Sequence, residues 1–177
     1  MKRILLLFLT LVLLLPAAGC RNADGIKAVV AGNGAPLSGS DGPPALVLSA
    51  GDGEIQALTP TCTWTGQDGS TVESDGMFVF DLWLDGSLPA LPVGPNKEAE
   101  LRFDAVPDKM RVMAWKAECA THDRSRVGES FDLPVKGDSF RMPTDQEYLY
   151  LIAAEWAKTE GVGGSAVYVF ATSNGIE

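Results

Sequence analysis

Short β-type runs separated by Gly, Pro and Asp are the feature that most constrains the fold of this chain. Residues 45–50 are followed by Gly51-Asp52-Gly53, and residues 61–65 are followed by Gly66-Gln67-Asp68-Gly69. β-Branched and aromatic residues favour strands, whereas Gly and Asp favour the tight turns between strands. The pattern therefore predicts antiparallel strands joined by short turns.

The same reading applies along the chain as far as residue 171. Residues 97–103 place Ala99, Leu101 and Phe103 on one face, and the bulky residues of segment 148–156 also share a face. Extended segments are further predicted at residues 54–58, 71–73, 77–84, 110–117, 131–135, 139–142 and 166–171. Three prolines in residues 88–95 predict a crossover without a central strand. Three glycines in residues 159–165 predict a loop.

The start of the long segment 148–156 adds a more specific signal. Asp145 precedes Tyr148 and Tyr150, an order that resembles the tyrosine corner of immunoglobulin-like sandwiches. In that corner a tyrosine hydroxyl binds back to the preceding turn. We therefore expect an all-β, immunoglobulin-like antiparallel β-sandwich over residues 45–177.

The first 20 residues predict where this domain is located. Lys2 and Arg3 precede a largely aliphatic run, and Ala17-Ala18-Gly19 then lead into Cys20. The run is shorter than the ~20 residues that a membrane-spanning helix needs, and the small residues before Cys20 are typical of a signal peptidase site. The segment resembles the lipobox of bacterial lipoproteins, which implies a signal peptide over 1–19 and a diacylglycerol-modified Cys20.

Residues 20–44 are rich in Gly, Ala, Asn, Ser and Pro, and they predict a lipidated flexible tether. Removing Lys2 and Arg3 from the 14 basic residues leaves 12 against 23 acidic ones, a net charge of about −11 for the processed chain. Such a surface repels nucleic acid and anionic headgroups. We therefore expect attachment through the lipid to the outer face of the bacterial cytoplasmic membrane, and no nucleic-acid partner.

The two remaining cysteines, Cys62 and Cys119, belong to a domain expected in an oxidising compartment. A disulfide between them is predicted, with two independent thiols as the alternative. The cysteines and the single His122 lack the spacing of a zinc site, and Asp81, Asp85 and Gly86 lack that of a calcium loop and are assigned to a turn. No metal or cofactor is expected.

One loop, residues 118–130, contains the only local basic cluster, and we take it as a candidate binding loop. Its basic residues are His122, Arg124 and Arg126. A solvated loop without a binding role is the alternative. With residues 157–165, this segment is expected among the loops at one end of the sandwich, where partners of such folds commonly bind.

Several core positions together resemble an uncharacterised extracytoplasmic domain of Firmicutes lipoproteins, which is also appended to membrane metallopeptidases of the β-lactam-sensor type. The resemblance covers roughly residues 45–171. It rests on Thr63-Trp64, Leu101-Arg102-Phe103, Pro107-Asp108, Trp115, Tyr148-Leu149-Tyr150, Trp156 and the segment 166–170. It implies a fold and transfers no catalytic residue.

Three function classes follow from these observations. We expect a non-enzymatic, lipid-anchored module that binds an envelope protein or glycan, or senses envelope conditions. The first alternative is a carbohydrate- or solute-binding lipoprotein that uses Trp64, Trp83, Trp115 or Trp156 as a stacking platform. The second is a surface hydrolase with paired carboxylates such as Asp52 with Glu54, or Glu98 with Glu100. No nucleophile, P-loop or metallopeptidase motif accompanies those carboxylates.

Overall fold

The computed structural model describes residues 42–93, 97–123 and 128–174. Over these residues the chain is an all-β sandwich of two packed, largely antiparallel sheets, as the turn-punctuated sequence predicts. The immunoglobulin-like assignment within this class stays a prediction. The strands are β1 Leu46–Ala50, β2 Gly53–Gln56, β3 Leu58–Thr65, β4 Thr71–Asp75, β5 Ala90–Val93, β6 Glu98–Phe103, β7 Lys109–Lys116, β8 Phe131–Leu133, β9 Val135–Lys136, β10 Ser139–Arg141, β11 Tyr148–Thr159 and β12 Val162–Asn174.

The two sheets differ in size. The small sheet has five strands in the order β2-β1-β6-β10-β9. The large sheet has seven, in the order β4-β3-β12-β11-β7-β8, with β5 pairing parallel to β12. The central hairpin β11–β12 carries the longest strands, and β3, β5 and β7 pair with it directly.

The main core lies between the sheets and follows the predicted alternation. Leu46 and Leu48 of the small sheet face inward and are fully buried. The predicted inward face of β11 is confirmed, since all five of its members are buried: Tyr148, Tyr150, Ile152, Ala154 and Trp156. Side chains alternate across a strand, so this face required no tertiary information to identify.

A second apolar cluster covers part of the outer face of the large sheet. It is built on helix α1, Val79–Leu84, whose buried side chains pack near Trp115 and Leu149. The sequence prediction of an extended segment at residues 77–84 is therefore wrong. A short run with apolar residues on most sides fits a strand and a buried helix equally well, and only the sheet beneath it selects the helix.

The proline-rich crossover contains a short strand that the sequence did not predict. β5 runs parallel to the end of β12, and the carbonyl of Pro89 accepts the N–H of Ala171 at 2.8 Å. The expectation that this crossover holds no central strand agrees with the structure, because β5 pairs with β12 alone among the described strands. β5 occupies an outer position alongside β12, where a missing proline N–H costs little.

The expectation of a glycine-rich loop at residues 159–165 is wrong. β11 and β12 are joined by a two-residue turn, in which Glu160 and Gly161 have φ of 53° and 88°. Two successive positive φ values match the twist of a tight hairpin. Gly163 and Gly164 belong to β12 and are paired with β3.

The folded part begins before the predicted boundary at Ala45. Gly42, Pro43 and Pro44 are buried, and the Tyr168 hydroxyl donates a hydrogen bond to the carbonyl of Pro44. Residues 42–44, which the sequence analysis assigned to the tether, therefore pack with the domain. The signal peptide over 1–19, Cys20 and residues 21–41 lie outside the described residues.

The predicted hydrogen bond between a tyrosine hydroxyl and the preceding turn is present at Tyr148. The Tyr148 hydroxyl donates to Asp145 Oδ1 at 2.8 Å, so its partner is a side chain and not the backbone.

Among the described residues, no helix has the length and hydropathy needed to span a membrane.

Candidate functional site

The candidate binding loop leaves β7 through a 3-10 turn, Ala117–Cys119. The N–H of Ala117 donates to the carbonyl of Glu147 at 3.0 Å, which fixes the start of the loop beside β11. Where the chain returns, a Cβ placed on Gly128 would lie 2.9 Å from Cys119 Sγ. The described ends of the loop are therefore in contact, as in a closed surface loop. Arg124 and Arg126, two of its three predicted basic residues, lie outside the described residues.

His122 is held by an acid from another element. Its Nδ1 lies 3.2 Å from Oδ1 of Asp81, which sits in the first turn of α1. The His122 side chain is 69% exposed, whereas that of Asp81 is only 21% exposed. The contact therefore joins an outward-facing imidazole to a mostly covered carboxylate.

This contact determines which ring nitrogen of His122 donates a hydrogen bond and which can accept one. An ionised carboxylate only accepts hydrogen bonds, so Nδ1 of His122 must donate. In the neutral ring Nε2 then carries the lone pair and can accept a hydrogen bond from a ligand hydroxyl or amide. Among the described residues, Asp81 is the hydrogen-bond partner of His122, and the contact holds the imidazole in one orientation.

Asp81 is the residue of this site that the sequence prediction missed. It was assigned to a turn, and it stands 41 positions before His122. No periodicity or motif links two residues so far apart. Only the packing of α1 on the large sheet brings them together.

The candidate loop and the start of the domain lie at opposite ends of the sandwich. We call the end where residues 42–44 lead into β1 the tether end. There, Ala45 N–H donates to Asp104 Oδ2 at 3.3 Å, and Trp156 Nε1 donates to the carbonyl of Ala105 at 2.9 Å. The other end of β11 is Tyr148, which pairs with Lys116 just before the candidate loop. A strand rises about 3.3 Å per residue, so Tyr148 and Trp156 are ~26 Å apart.

This arrangement corrects one expectation. Residues 157–165 were expected to share an end of the sandwich with the candidate loop. They follow Trp156 and so lie at the tether end. The candidate loop therefore does not share its end of the sandwich with residues 157–165.

The predicted disulfide between Cys62 and Cys119 is wrong, because both thiols are free. Cys62 is buried on β3, three strands away from β7 in the large sheet, whereas Cys119 follows β7. Three strand spacings correspond to ~14 Å, about twice the Cα separation that a disulfide tolerates.

The paired carboxylates are exposed, as the alternation of β6 predicts. Glu98 and Glu100 line a shallow polar depression of about 330 Å³ with Ser49, Gly51, Asp138 and Ser139. Ser139 Oγ donates to Glu98 at 2.9 Å, and Glu54 is paired with Arg102 at 3.0 Å. In the described ranges no three His, Cys, Asp or Glu side chains are grouped to hold a metal ion.

The tryptophans contribute mainly to the cores. Trp64, Trp115 and Trp156 are 4%, 7% and 8% exposed, so these three offer no open face for a sugar ring. Trp83, on α1, is partly exposed. The candidate sugar platform is thereby reduced to one side chain.

Comparison of the chain with protein-family models, with curated proteins and with solved structures finds no match.

Proposed function

We propose that this protein is a lipid-anchored, non-enzymatic binding or envelope-sensing module outside the cytoplasm, attached through Cys20. The observation that carries the proposal is the placement of the candidate loop at the end of the sandwich opposite the tether end. A domain anchored through residues 20–41 presents that loop away from the bilayer, toward the envelope.

The site chemistry supports recognition of a neutral or acidic polar group. His122 is exposed and oriented by Asp81, so its Nε2 faces outward in a defined tautomer. Arg124 and Arg126 follow in the sequence and add positive charge to an otherwise acidic chain. Loops mounted on a rigid sandwich are common positions for binding residues. The resemblance to Firmicutes lipoprotein domains agrees with this assignment.

The anchor is tested first by metabolic labelling with palmitate in a bacterial host. We expect label on the wild-type chain and none on Cys20→Ala, with Cys119→Ser as the matched control that keeps its label. Equal labelling of the wild type and Cys20→Ala would remove the lipid anchor from the proposal.

The binding role is tested by site-specific photocrosslinking in intact cells. A photoreactive amino acid is placed at His122 and, as the control, at Glu160, which is exposed at the tether end. We expect one discrete envelope product from position 122 that is lost when Arg124 and Arg126 are both changed to Glu. The same products from both positions, or none from position 122, would contradict a binding role for the loop.

A further inference from the structure

β4 is the longest edge strand in the described part of the sandwich. β4 has five residues, and β3 is its only strand partner. The other edges are shorter or obstructed. β8 and β9 have three and two residues and flank Pro134, while a Cβ on Gly53 of β2 would lie 3.4 Å from Pro92 of β5. Natural sheets block edges with proline, bulges, cover or charged side chains because open edges invite pairing. β4 has no proline, and its two charged side chains, Glu73 and Asp75, are both negative.

The hairpin register shows which backbone groups of β4 point outward. Gly66 N–H donates to the carbonyl of Ser70 at 2.8 Å, so Gly66 and Ser70 form a hydrogen-bonded pair. Hydrogen-bonded and non-bonded pairs alternate along an antiparallel ladder. The pairs of Thr71, Glu73 and Asp75 with β3 are therefore non-bonded. The N–H and C=O groups of these three residues face away from the sheet.

The same three residues present their side chains to solvent. Thr71, Glu73 and Asp75 are exposed, whereas Val72 is partly buried against the main core. Ser74 is partly buried, and its hydroxyl donates a hydrogen bond to the carbonyl of Pro60 at 2.8 Å. Glu73 and Asp75 form no ion pair with any described residue. The edge therefore combines outward hydrogen-bonding groups with two negative charges on one face and an apolar side chain on the other.

A second copy of this chain is a poor occupant of the edge. Two β4 strands paired antiparallel about Glu73 would place the two Glu73 carboxylates directly opposite each other. Like charges opposite each other destabilise a strand pair. The acidic pattern thus opposes self-association and favours a cationic strand.

We propose that β4 is a docking edge for an extended segment of a partner protein in which Lys or Arg alternates with small apolar residues. The segment adds a strand to the large sheet through the outward groups of Thr71, Glu73 and Asp75. Its cationic side chains lie opposite the two carboxylates, and its apolar side chains lie beside Val72. This mode of recognition takes affinity from the backbone and specificity from alternate side chains. The proposal goes beyond the function assigned to the candidate loop and requires neither the lipid nor His122.

The test measures binding of an acetylated, amidated and fluorescently labelled Lys-Val-Lys-Val-Lys peptide to the full chain purified in detergent. Fluorescence anisotropy should give saturable binding with a Kd at or below roughly 1 mM. Changing Glu73 and Asp75 together to Lys should weaken binding at least about tenfold, because both charge pairs become repulsive. The matched control, Glu98→Lys with Glu100→Lys, makes the same change of charge on interior strand β6 and should stay within about twofold.

Backbone pairing is tested by N-methylated peptides. Lys residues opposite Glu73 and Asp75 occupy hydrogen-bonded pairs, so their amides face β4. N-methylation of the Lys amides should abolish binding, whereas N-methylation of the Val amides should leave it intact.

Four results would overturn the proposal: no saturable binding, equal loss of affinity in the control variant, unchanged binding of the peptide methylated at Lys, or a dimer in sedimentation that forms through β4. Folding of each variant is checked by its far-ultraviolet circular dichroism. A negative result here leaves the crosslinking outcome at His122 unaffected, so the two proposals fail separately.

Discussion

Trp64 and Trp156 meet edge to face across Gly164, with ring centroids 5.5 Å apart. Gly164 pairs with Trp156 of β11 on one side and with Trp64 of β3 on the other. The two indoles therefore approach each other over a residue that has no side chain. Edge-to-face aromatic pairs contribute beyond their buried area, and this one joins three adjacent strands near the tether end.

Gly164→Ala should destabilise the fold by about 2–4 kcal/mol, because a Cβ at this position overlaps the carbonyl oxygen of Thr63. The free energy of unfolding is measured in urea by tryptophan fluorescence. Gly69→Ala is the control: it has φ of 77° but no neighbour within 4 Å, so it should cost only ~1 kcal/mol. Equal losses in the two variants would show that the close approach to Thr63 is not important.

The indole pair should also show energetic coupling. Trp64→Leu and Trp156→Leu should each cost about 2–4 kcal/mol, and the double variant should lose less than the sum by about 0.5–1.5 kcal/mol. Unfolding is followed by far-ultraviolet circular dichroism, since the substitutions remove the fluorophores. Trp83→Leu, on the helix and away from the pair, is the non-interacting partner for a control cycle with Trp64→Leu. Strict additivity of Trp64→Leu and Trp156→Leu would contradict the proposed coupling.

All three tyrosines should make the protein sensitive to alkali. Burial, together with donation to Asp145, raises the pKa of Tyr148 from 10 to about 12, and burial raises the pKa of Tyr150 and Tyr168 further. Below pH 10 the folded and unfolded chains both keep these protons. Between pH 10 and about 12 the unfolded chain releases them first, so stability falls as pH rises.

The measurement combines tyrosinate absorbance with circular dichroism across this pH range. We expect tyrosinate to form together with unfolding and not before it. Tyr148→Phe should reduce the steepness of the stability loss, since one of the three perturbed groups is removed. Tyrosinate absorbance that reaches its full value while the fold is intact would contradict the pKa directions.

The two free cysteines should differ in reactivity. Cys62 is buried, and that burial raises the pKa of its thiol, so little thiolate is available for reaction. Cys119 is partly exposed in the 3-10 turn. Under native conditions at pH 8 an alkylating reagent should label Cys119, whereas Cys62 should be labelled only after unfolding.

Peptide mass mapping locates the label, and Cys119→Ser should show no native labelling within the folded domain. Recovery of neither thiol after denaturation without reductant would indicate that a disulfide had formed. Rapid native labelling of Cys62 would contradict its burial between the sheets.

The sequence predicted local elements well where a strand has one buried face. Alternation in β6 and β11 identified both the strands and their inward residues, because the pleat repeats every two residues. The prediction from alternation failed at α1, a short and nearly all-apolar helix whose side chains Val79, Phe80 and Leu82 are buried against the sheet. It also failed at Gly163 and Gly164, since glycine signals a turn equally well as a close strand contact.

The candidate site was only half predictable. His122 was found because it is the single histidine in a basic cluster. Its partner Asp81 was not found, because no local rule joins positions on a helix and a loop 41 residues apart. The cysteine pairing failed for the same reason, since order along the chain does not give order within a sheet.

The sequence by itself determined the strand-and-turn composition, the acidic charge and the side of each regular strand that faces the core. These properties depend on each residue and its near neighbours. Only the tertiary structure decided which strands lie at edges, which loops share an end and which polar groups meet. Those relationships depend on the strand order β4-β3-β12-β11-β7-β8, which is selected by burial of the whole apolar surface at once and not by any single segment.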